Sequence, residues 1–189
     1  HLYQDVHDPK ARLFLHYVHG LTRRYLKVHT FTFGTRLSNI TRCLRHRDPD
    51  VALKMADAQV LDWKGGTRIA SSLVEFNRLW ARRVLGANAA VLLVTDGLER
   101  EDGGHLEAAA AQLQRSAHEV VWLNPLLRFD GFEPRAAGVK TLLAHVDRFL
   151  PVHNLASLAD LGKALRSPPQ NAQAGTIRAT TAGASHGQS

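Results

Sequence analysis

The chain is poor in several residue types, and each shortage excludes a class of protein. It has one cysteine, Cys43, among 189 residues, which excludes an internal disulfide and a zinc site built from several cysteines. We interpret Cys43 as a small residue near the edge of the core. No apolar run is long enough to cross a bilayer, and no signal peptide is recognisable. The default expectation is therefore a cytoplasmic protein without a membrane span.

The sequence also lacks patterns that mark common enzymes. It contains no Walker loop and no Gly-x-Gly-x-x-Gly fingerprint, and no pair of carboxylates is identifiable as an acid–base dyad. The 11 histidines are scattered along the chain. Only His16 and His19 stand at helical spacing, and we interpret them as partly buried, hydrogen-bonded side chains rather than metal ligands. We expect a protein that is not an enzyme.

The formal net charge of +7 is compatible with nucleic acid or with acidic partners. However, the basic clusters at residues 23–24, 42–47 and 82–83 fall in different predicted elements. No basic run is interleaved with aromatic residues, as binding of single-stranded nucleic acid requires. We therefore do not expect nucleic acid, and an acidic protein surface is at least as good a partner.

Predicted strands alternate with predicted helices along the chain. Strands are predicted at residues 28–33, 37–40, 89–95, 119–123 and 147–150, and helices at 11–25, 51–58, 68–85, 105–117, 139–145 and 157–165. This pattern is typical of an α/β fold with a doubly wound, mostly parallel sheet and helices on both faces. We expect one domain over residues 1–166. A disordered tail of small and polar residues is expected over 167–189.

Two segments predict a ligand site at the carboxyl edge of this sheet. The apolar run 89–95 ends in Asp96-Gly97, and Gly65-Gly66-Thr67 opens the helix at 68–85. Ligands of open α/β sheets bind at this edge, and a carboxylate with a hydroxyl forms half of a Mg²⁺ site. The alternative is that Asp96 is only a turn carboxylate and Thr67 only a helix N-cap.

Several strings in this order resemble the CoxE-like branch of von Willebrand factor A domains. They are TFTFGTRL at 30–37, RDPD at 47–50, WKGGTRI at 63–69, VTDG at 94–97, VWLNPL at 121–126 and FLPVHNLASL at 149–158. The resemblance covers about residues 11–165. It implies a von Willebrand factor A-like, Rossmann-like doubly wound sheet.

The resemblance also implies a metal-ion-dependent adhesion site. In that site an Asp-x-Ser-x-Ser loop after the first strand, a Thr from a second loop and an Asp from a third hold one Mg²⁺, and a partner's carboxylate completes the coordination. Relatives of this branch are associated with maturation of molybdenum-containing carbon monoxide dehydrogenase, beside an AAA+ ATPase of the MoxR type. A client metalloenzyme and such an ATPase are therefore the implied partners.

Carried over by residue, Thr67 matches the second-loop Thr and Asp96 the third-loop Asp. The first loop does not match, because no Asp-x-Ser-x-Ser occurs in the chain. One placement makes Asp5 the first-loop carboxylate, with His7 and Pro9 where the serines would stand. A second placement puts the loop on residues 2–6, where nothing fits.

Either placement leaves almost no residues for a hydrophobic first central strand, so we expect that strand to be truncated or absent. The chain is then either a fragment that starts just past the metal loop or a degenerate domain. We expect Gly65, Gly66, Gly97 and Glu99 to form the rim of the site. The alternative for Glu99 and the acidic residues after it is a solvated loop.

These observations lead to three expectations about function. The first is a non-catalytic protein-interaction module, an accessory factor in metalloenzyme maturation that docks through Mg²⁺ held by Thr67, Asp96 and Asp5. The second is a metal-independent scaffold with a degenerate adhesion site. The third is a basic module that binds nucleic acid.

Overall fold

A computed structural model of the chain describes residues 9–25, 27–60, 68–95, 97, 105–124 and 137–151. The predicted final helix and the predicted tail at 167–189 lie outside these ranges. The elements are α1 Pro9–Arg24, β1 Phe31–Phe33, β2 Leu37–Asn39, α2 Thr41–Leu44, α3 Pro49–Gln59, α4 Ile69–Leu79, α5 Ala81–Val84, β3 Ala90–Val94, α6 Leu106–Ser116, β4 Glu119–Asn124, α7 Ala137–Ala144 and β5 Arg148–Pro151.

Three parallel strands in the order β3-β4-β5 form the main sheet. Val94 of β3 pairs with Leu123 of β4, and Leu123 pairs with Leu150 of β5. Helices α6 and α7 connect these strands, as parallel pairing requires. The mixed α/β architecture predicted from the alternation of elements is confirmed.

Both faces of this sheet are covered, which explains the uninterrupted apolar character of β3 and β4. Leu93 and Trp122 pack with α4, α6 and α7 in one core cluster. Val121 and Leu123 point to the opposite face, where Phe14 of α1 contacts them. Helices on both faces of a parallel sheet are therefore present, as predicted.

Strands β1 and β2 form a separate antiparallel hairpin. Helix α4 covers it, since the Phe31 ring lies 5.2 Å from the rings of both Phe76 and Trp80 in edge-on contacts. Phe33 also packs against the core cluster of the parallel sheet. Among the described residues no strand joins the hairpin to β3, and the residues before α1, to which the truncated or absent first strand was assigned, lie outside the described ranges.

Helix α3 begins where the sequence predicts. Asp48 is its N-cap, and one carboxylate oxygen accepts hydrogen bonds from the amides of Asp50 (2.8 Å) and Val51 (3.2 Å). Pro49 follows in the first turn, where its missing N–H costs nothing. This cap satisfies two amides that the helix itself leaves without partners.

Two predicted elements differ in the structure. The single helix expected over 68–85 is divided at Trp80, whose backbone (φ −118°, ψ −36°) separates α4 from α5. The apolar spacing continues through the break, so periodicity could not reveal it. The strand expected over 28–33 is shortened to Phe31–Phe33, because the amide of Thr30 donates to Thr41 Oγ1 (2.9 Å) at the start of α2.

Helices α1, α2 and α3 enclose a second core cluster that includes Leu15, Leu44 and Cys43. The Cys43 thiol donates to Gln59 Oε1 (2.9 Å), which confirms its interpretation as a core residue. His19 is 7% exposed and its Nε2 donates to the carbonyl oxygen of His46 (2.8 Å). The predicted hydrogen-bonded role of this histidine is also confirmed.

Cys43 is expected to react slowly with iodoacetamide in the folded chain. Burial raises the pKa of the Cys43 thiol, so less of the reactive thiolate is present, and the reagent reaches it only after local opening. At pH 8 the folded chain should react on the order of a hundredfold more slowly than the chain unfolded in guanidinium. Mass spectrometry follows the reaction, and equal rates in the two states would contradict the burial.

The same shift gives a sign for the effect of pH on stability. The thiol loses its proton less readily in the folded chain than in the unfolded chain, so its contribution to stability is complete below the ordinary pKa of 9.0 and is lost as the pH rises through the raised pKa. A Cys43→Ala variant should therefore lose less stability than the wild type on going to alkaline pH.

Candidate functional site

One of the residues predicted for the site, Gly97, is described by the structure. The others lie outside the described residues, and their roles stay predictions. They are Asp5, Gly65, Gly66, Thr67, Asp96 and Glu99. The described residues on either side of Asp96 and after Thr67 show how the surroundings of the site are built.

A hydrogen-bonded turn follows β3. The amide of Thr95 donates to the carbonyl of Leu123 (3.2 Å), which extends the parallel pairing one residue beyond the strand. Thr95 Oγ1 accepts from the amide of Gly97 (3.2 Å). Trp122 Nε1 donates to the Thr95 carbonyl (2.9 Å), and both residues are buried. Thr95 is thus bonded to two residues of β4, and Gly97 is bonded in turn to Thr95.

Gly97 is required by both conformation and space. Its φ of +78° lies in the left-handed region that glycine adopts without strain. A Cβ at this position would approach Trp122 Cζ2 to 2.8 Å and Val139 Cγ2 to 2.9 Å. The residue is buried, so the structure shows a packing role for it, while its predicted part in the rim stays a prediction.

The second side of the site is the start of α4. The N-cap position is Arg68, which makes no side-chain cap, and Thr67 precedes it by one residue. The amide of Arg68 donates to the carbonyl of Gly34 (3.0 Å), directly after β1. This bond fixes the chain that follows Thr67 against the β1–β2 turn.

The two sides of the site belong to one packed unit. Ile69, two residues after Thr67, and Leu93, three residues before Asp96, are buried in the same core cluster. Parallel strands β3 and β4 end at one edge, and Asn124, fully buried, ends β4 there. This edge can present side-chain oxygens from loops whose bases are rigid. Within the described part of the chain, no group of three His, Cys, Asp or Glu residues could hold a metal ion.

A second feature was missed in the sequence because its members are far apart there. An open cavity of about 1070 Å³, which we call the basic groove, runs beside β2. Its cationic side chains come from the β1–β2 turn, α2, the residue after α2, and α5. The residues that line it are His29, Arg36, Leu37, Ser38, Asn39, Thr41, Arg42, Arg45, Gln59, Trp80, Arg83 and Val84. The sequence placed the basic clusters at 42–47 and 82–83 in different elements, and only the fold brings arginines of both clusters, together with Arg36, to one groove.

Comparison with known families gives one extended match. Residues 8–158 match the family model described as VWA domain containing CoxE-like protein. No curated protein matches the sequence. The matched range contains all of the described elements, including both sides of the candidate site.

Solved structures with the same fold come from distant sequences. Proximal thread matrix protein 1 from the mussel byssus is 15% identical, with a TM-score of 0.53 over 82% of this chain and 41% of that one. A form of it with a zinc-occupied MIDAS motif gives 15% identity and a TM-score of 0.53, over 85% and 43%. An aerotolerance-related membrane protein from Bacteroides fragilis, carrying multiple mutations to serine, gives 16% and 0.51, over 87% and 92%.

These likenesses establish the fold alone. The chain spans less than half the length of the mussel protein that it matches, whereas it spans nearly all of the bacterial one. Among the described residues, none of the helices has the length and apolar character that crossing a bilayer requires.

Proposed function

The chain belongs to the family of CoxE-like proteins that contain a VWA domain, and on that premise we propose that it is a non-catalytic module that binds a partner protein through a metal-dependent adhesion site. The observation that carries the proposal is the turn after β3. Thr95 is hydrogen-bonded to Trp122 and Leu123, and the amide of Gly97 donates to Thr95 Oγ1. A turn held in this way supports a carboxylate that must stay at one place.

The donor chemistry of the predicted residues suits a hard cation. The carboxylate of Asp96 and the hydroxyl of Thr67 are oxygen ligands of the kind that Mg²⁺ takes. Asp5 is the candidate for a third ligand. A divalent cation bound there would attract a carboxylate of the partner, and the loop residues of this chain would orient it. The mussel protein, which shares this fold, has a form with a zinc-occupied MIDAS motif, and this supports a divalent cation in the proposed role.

The proposed partners are a MoxR-type AAA+ ATPase and a client metalloenzyme. The support is the CoxE-like family, together with a fold whose ligand edge lies at the ends of β3 and β4. In this role the module would link the ATPase to the enzyme being matured, in the cytoplasm, and would perform no chemistry of its own.

A metal-independent scaffold is the alternative, and the basic groove favours it. Such a protein would bind its partner equally well with a chelator present, while salt would weaken binding by screening the arginines. A chelator should therefore weaken partner binding by the metal-dependent module, whereas salt should weaken partner binding by the scaffold.

Titration of Mg²⁺ tests the metal role directly. An Asp96→Asn variant should bind Mg²⁺ at least about tenfold more weakly than the wild type in isothermal titration, because an amide replaces the one charged ligand of the loop. Glu107→Gln is the matched control, since it removes one exposed carboxylate from the first turn of α6, and it should leave the affinity unchanged. Equal affinity in wild type and Asp96→Asn would refute the metal site.

Partner recovery supplies the second readout. Wild type and Asp96→Ala are each used to capture the ATPase with Mg²⁺ and with a chelator. The proposal predicts higher recovery for wild type with Mg²⁺ than under the other three conditions. Equal recovery under all four conditions would remove the metal role and favour the scaffold.

A further inference from the structure

We propose that the basic groove binds an extended acidic segment of a partner protein, which pairs with the outer edge of β2. This docking surface is separate from the metal site and does not depend on it.

The charge of the groove has one sign. Four arginines line it, and all four are exposed: Arg36, Arg42, Arg45 and Arg83. Among the described residues that line it, none is Asp or Glu. The guanidinium of Arg83 lies 5.9 Å from the centre of the Trp80 ring, which holds this cation over an aromatic face. Such a surface attracts carboxylates and repels other cations.

Strand β2 presents backbone N–H and C=O groups on the side where the arginines of the groove lie. Gly34 donates to the Arg36 carbonyl (3.2 Å) and Ile40 to the Thr30 carbonyl (3.0 Å). Hydrogen-bonded pairs alternate along an antiparallel ladder, so the backbone groups of Leu37 and Asn39 point away from β1. Leu37, Ser38 and Asn39 all line the groove, which places that edge beside the arginines.

One of these outward groups already has a partner within the fold. Gln59 Nε2 donates to the Asn39 carbonyl (2.8 Å). The N–H and C=O of Leu37 and the N–H of Asn39 remain directed outward. An extended peptide recognises such an edge by adding a strand to it, and acidic side chains along that strand would reach the arginines of α2 and α5.

Other occupants fit this groove less well. Single-stranded nucleic acid binds on successive aromatic platforms, whereas within the described part of the chain Trp80 is the one Phe, Tyr or Trp that lines the groove. The last 29 residues of the chain contain no Asp or Glu, so they cannot supply the acidic segment. A net charge of +7 also disfavours a second copy of the chain.

Binding of labelled peptides tests the proposal by fluorescence anisotropy in low salt with a chelator present. A peptide of alternating Glu and Val should bind, and one of alternating Gln and Val should not. Methylation of alternate backbone nitrogens of the acidic peptide should weaken binding about tenfold, because it removes strand pairing without changing charge. Equal binding of the methylated and unmethylated peptides would overturn the pairing.

Protein variants locate the site. Arg42→Gln with Arg45→Gln should weaken binding of the acidic peptide about tenfold, as expected for two exposed ion pairs at low salt. Arg78→Gln with Arg115→Gln is the matched control, because both arginines are exposed and lie outside the groove, and it should change affinity less than about twofold. An equal loss in the two double variants would overturn the proposal.

Two further binding measurements distinguish this proposal from the metal site and from nucleic-acid binding. Asp96→Asn should bind the acidic peptide as the wild type does, so failure of the metal site leaves this result unaffected. A single-stranded oligonucleotide of the same net charge should bind more weakly than the peptide. If the oligonucleotide binds more tightly than the peptide, and the Arg42→Gln and Arg45→Gln double variant loses that binding, the ligand of the groove is nucleic acid and the proposal is overturned.

Discussion

Replacement of Gly97 by alanine is expected to lower the free energy of unfolding by about 2–4 kcal/mol. Two effects add. The left-handed φ of +78° is strained for any residue with a Cβ. The new methyl group would also lie 2.8 Å from Trp122 Cζ2 and 2.9 Å from Val139 Cγ2, where both partners are buried and cannot move aside easily. Urea unfolding followed by circular dichroism measures the difference.

Gly20→Ala provides the control with the opposite sign. Gly20 lies within α1, is exposed, and has no atom within 4 Å of where a Cβ would be. Alanine should stabilise the helix there by about 0.5–1 kcal/mol. Equal stability of the Gly97→Ala variant and the wild type would mean that the turn after β3 is not built as the structure shows.

Replacement of Trp122 by phenylalanine is expected to cost about 2–4 kcal/mol. The indole is fully buried, donates to the Thr95 carbonyl (2.9 Å), and lies 4.5 Å from the Phe149 ring. Phenylalanine removes the donor and leaves a buried carbonyl without its partner, in addition to a cavity. The same urea experiment measures this change.

Trp122→Phe should also couple to Gly97→Ala. Phenylalanine lacks the ring atoms Cζ2 and Cη2, which lie 2.8 and 3.0 Å from the point that a Cβ on residue 97 would occupy. The double variant should therefore be more stable than the sum of the two single changes predicts. Strict additivity would contradict the contact. Trp80→Phe is the control, because Trp80 is only partly buried and contacts the hairpin rather than this turn.

The sheet was predictable from the sequence because its signals are local. Residues 89–95 and 119–123 are apolar almost without interruption, as strands covered on both faces must be, and β3 and β4 lie there. The start of α3 was equally readable, because Asp48 and Pro49 carry its cap. The break at Trp80 was not, since the apolar spacing continues through it, and the Trp80 ring packs on Phe31, 49 positions earlier in the chain.

The candidate site was predictable only in part. Sequence indicated that the turn at 95–97 matters, but not that Gly97 is enclosed by Trp122 and Val139, because α7 and β4 are brought there by the fold. The basic groove was missed altogether, as three of its residues show: Arg36, Arg45 and Arg83. They stand in separate elements, so the sequence suggested dispersed charge, whereas packing of the hairpin beside α2 and α5 gathers them.

The two main hydrophobic clusters have a consequence for how the molecule opens. The cluster within α1, α2 and α3 shares no residue with the cluster beneath α4 and α6. Phe14 is the side chain that contacts both the helical cluster and the opposite face of the sheet. We therefore expect the amides of the amino-terminal helices to exchange their hydrogens through a partial opening of the molecule. The amides of the parallel strands should exchange only when the whole domain unfolds.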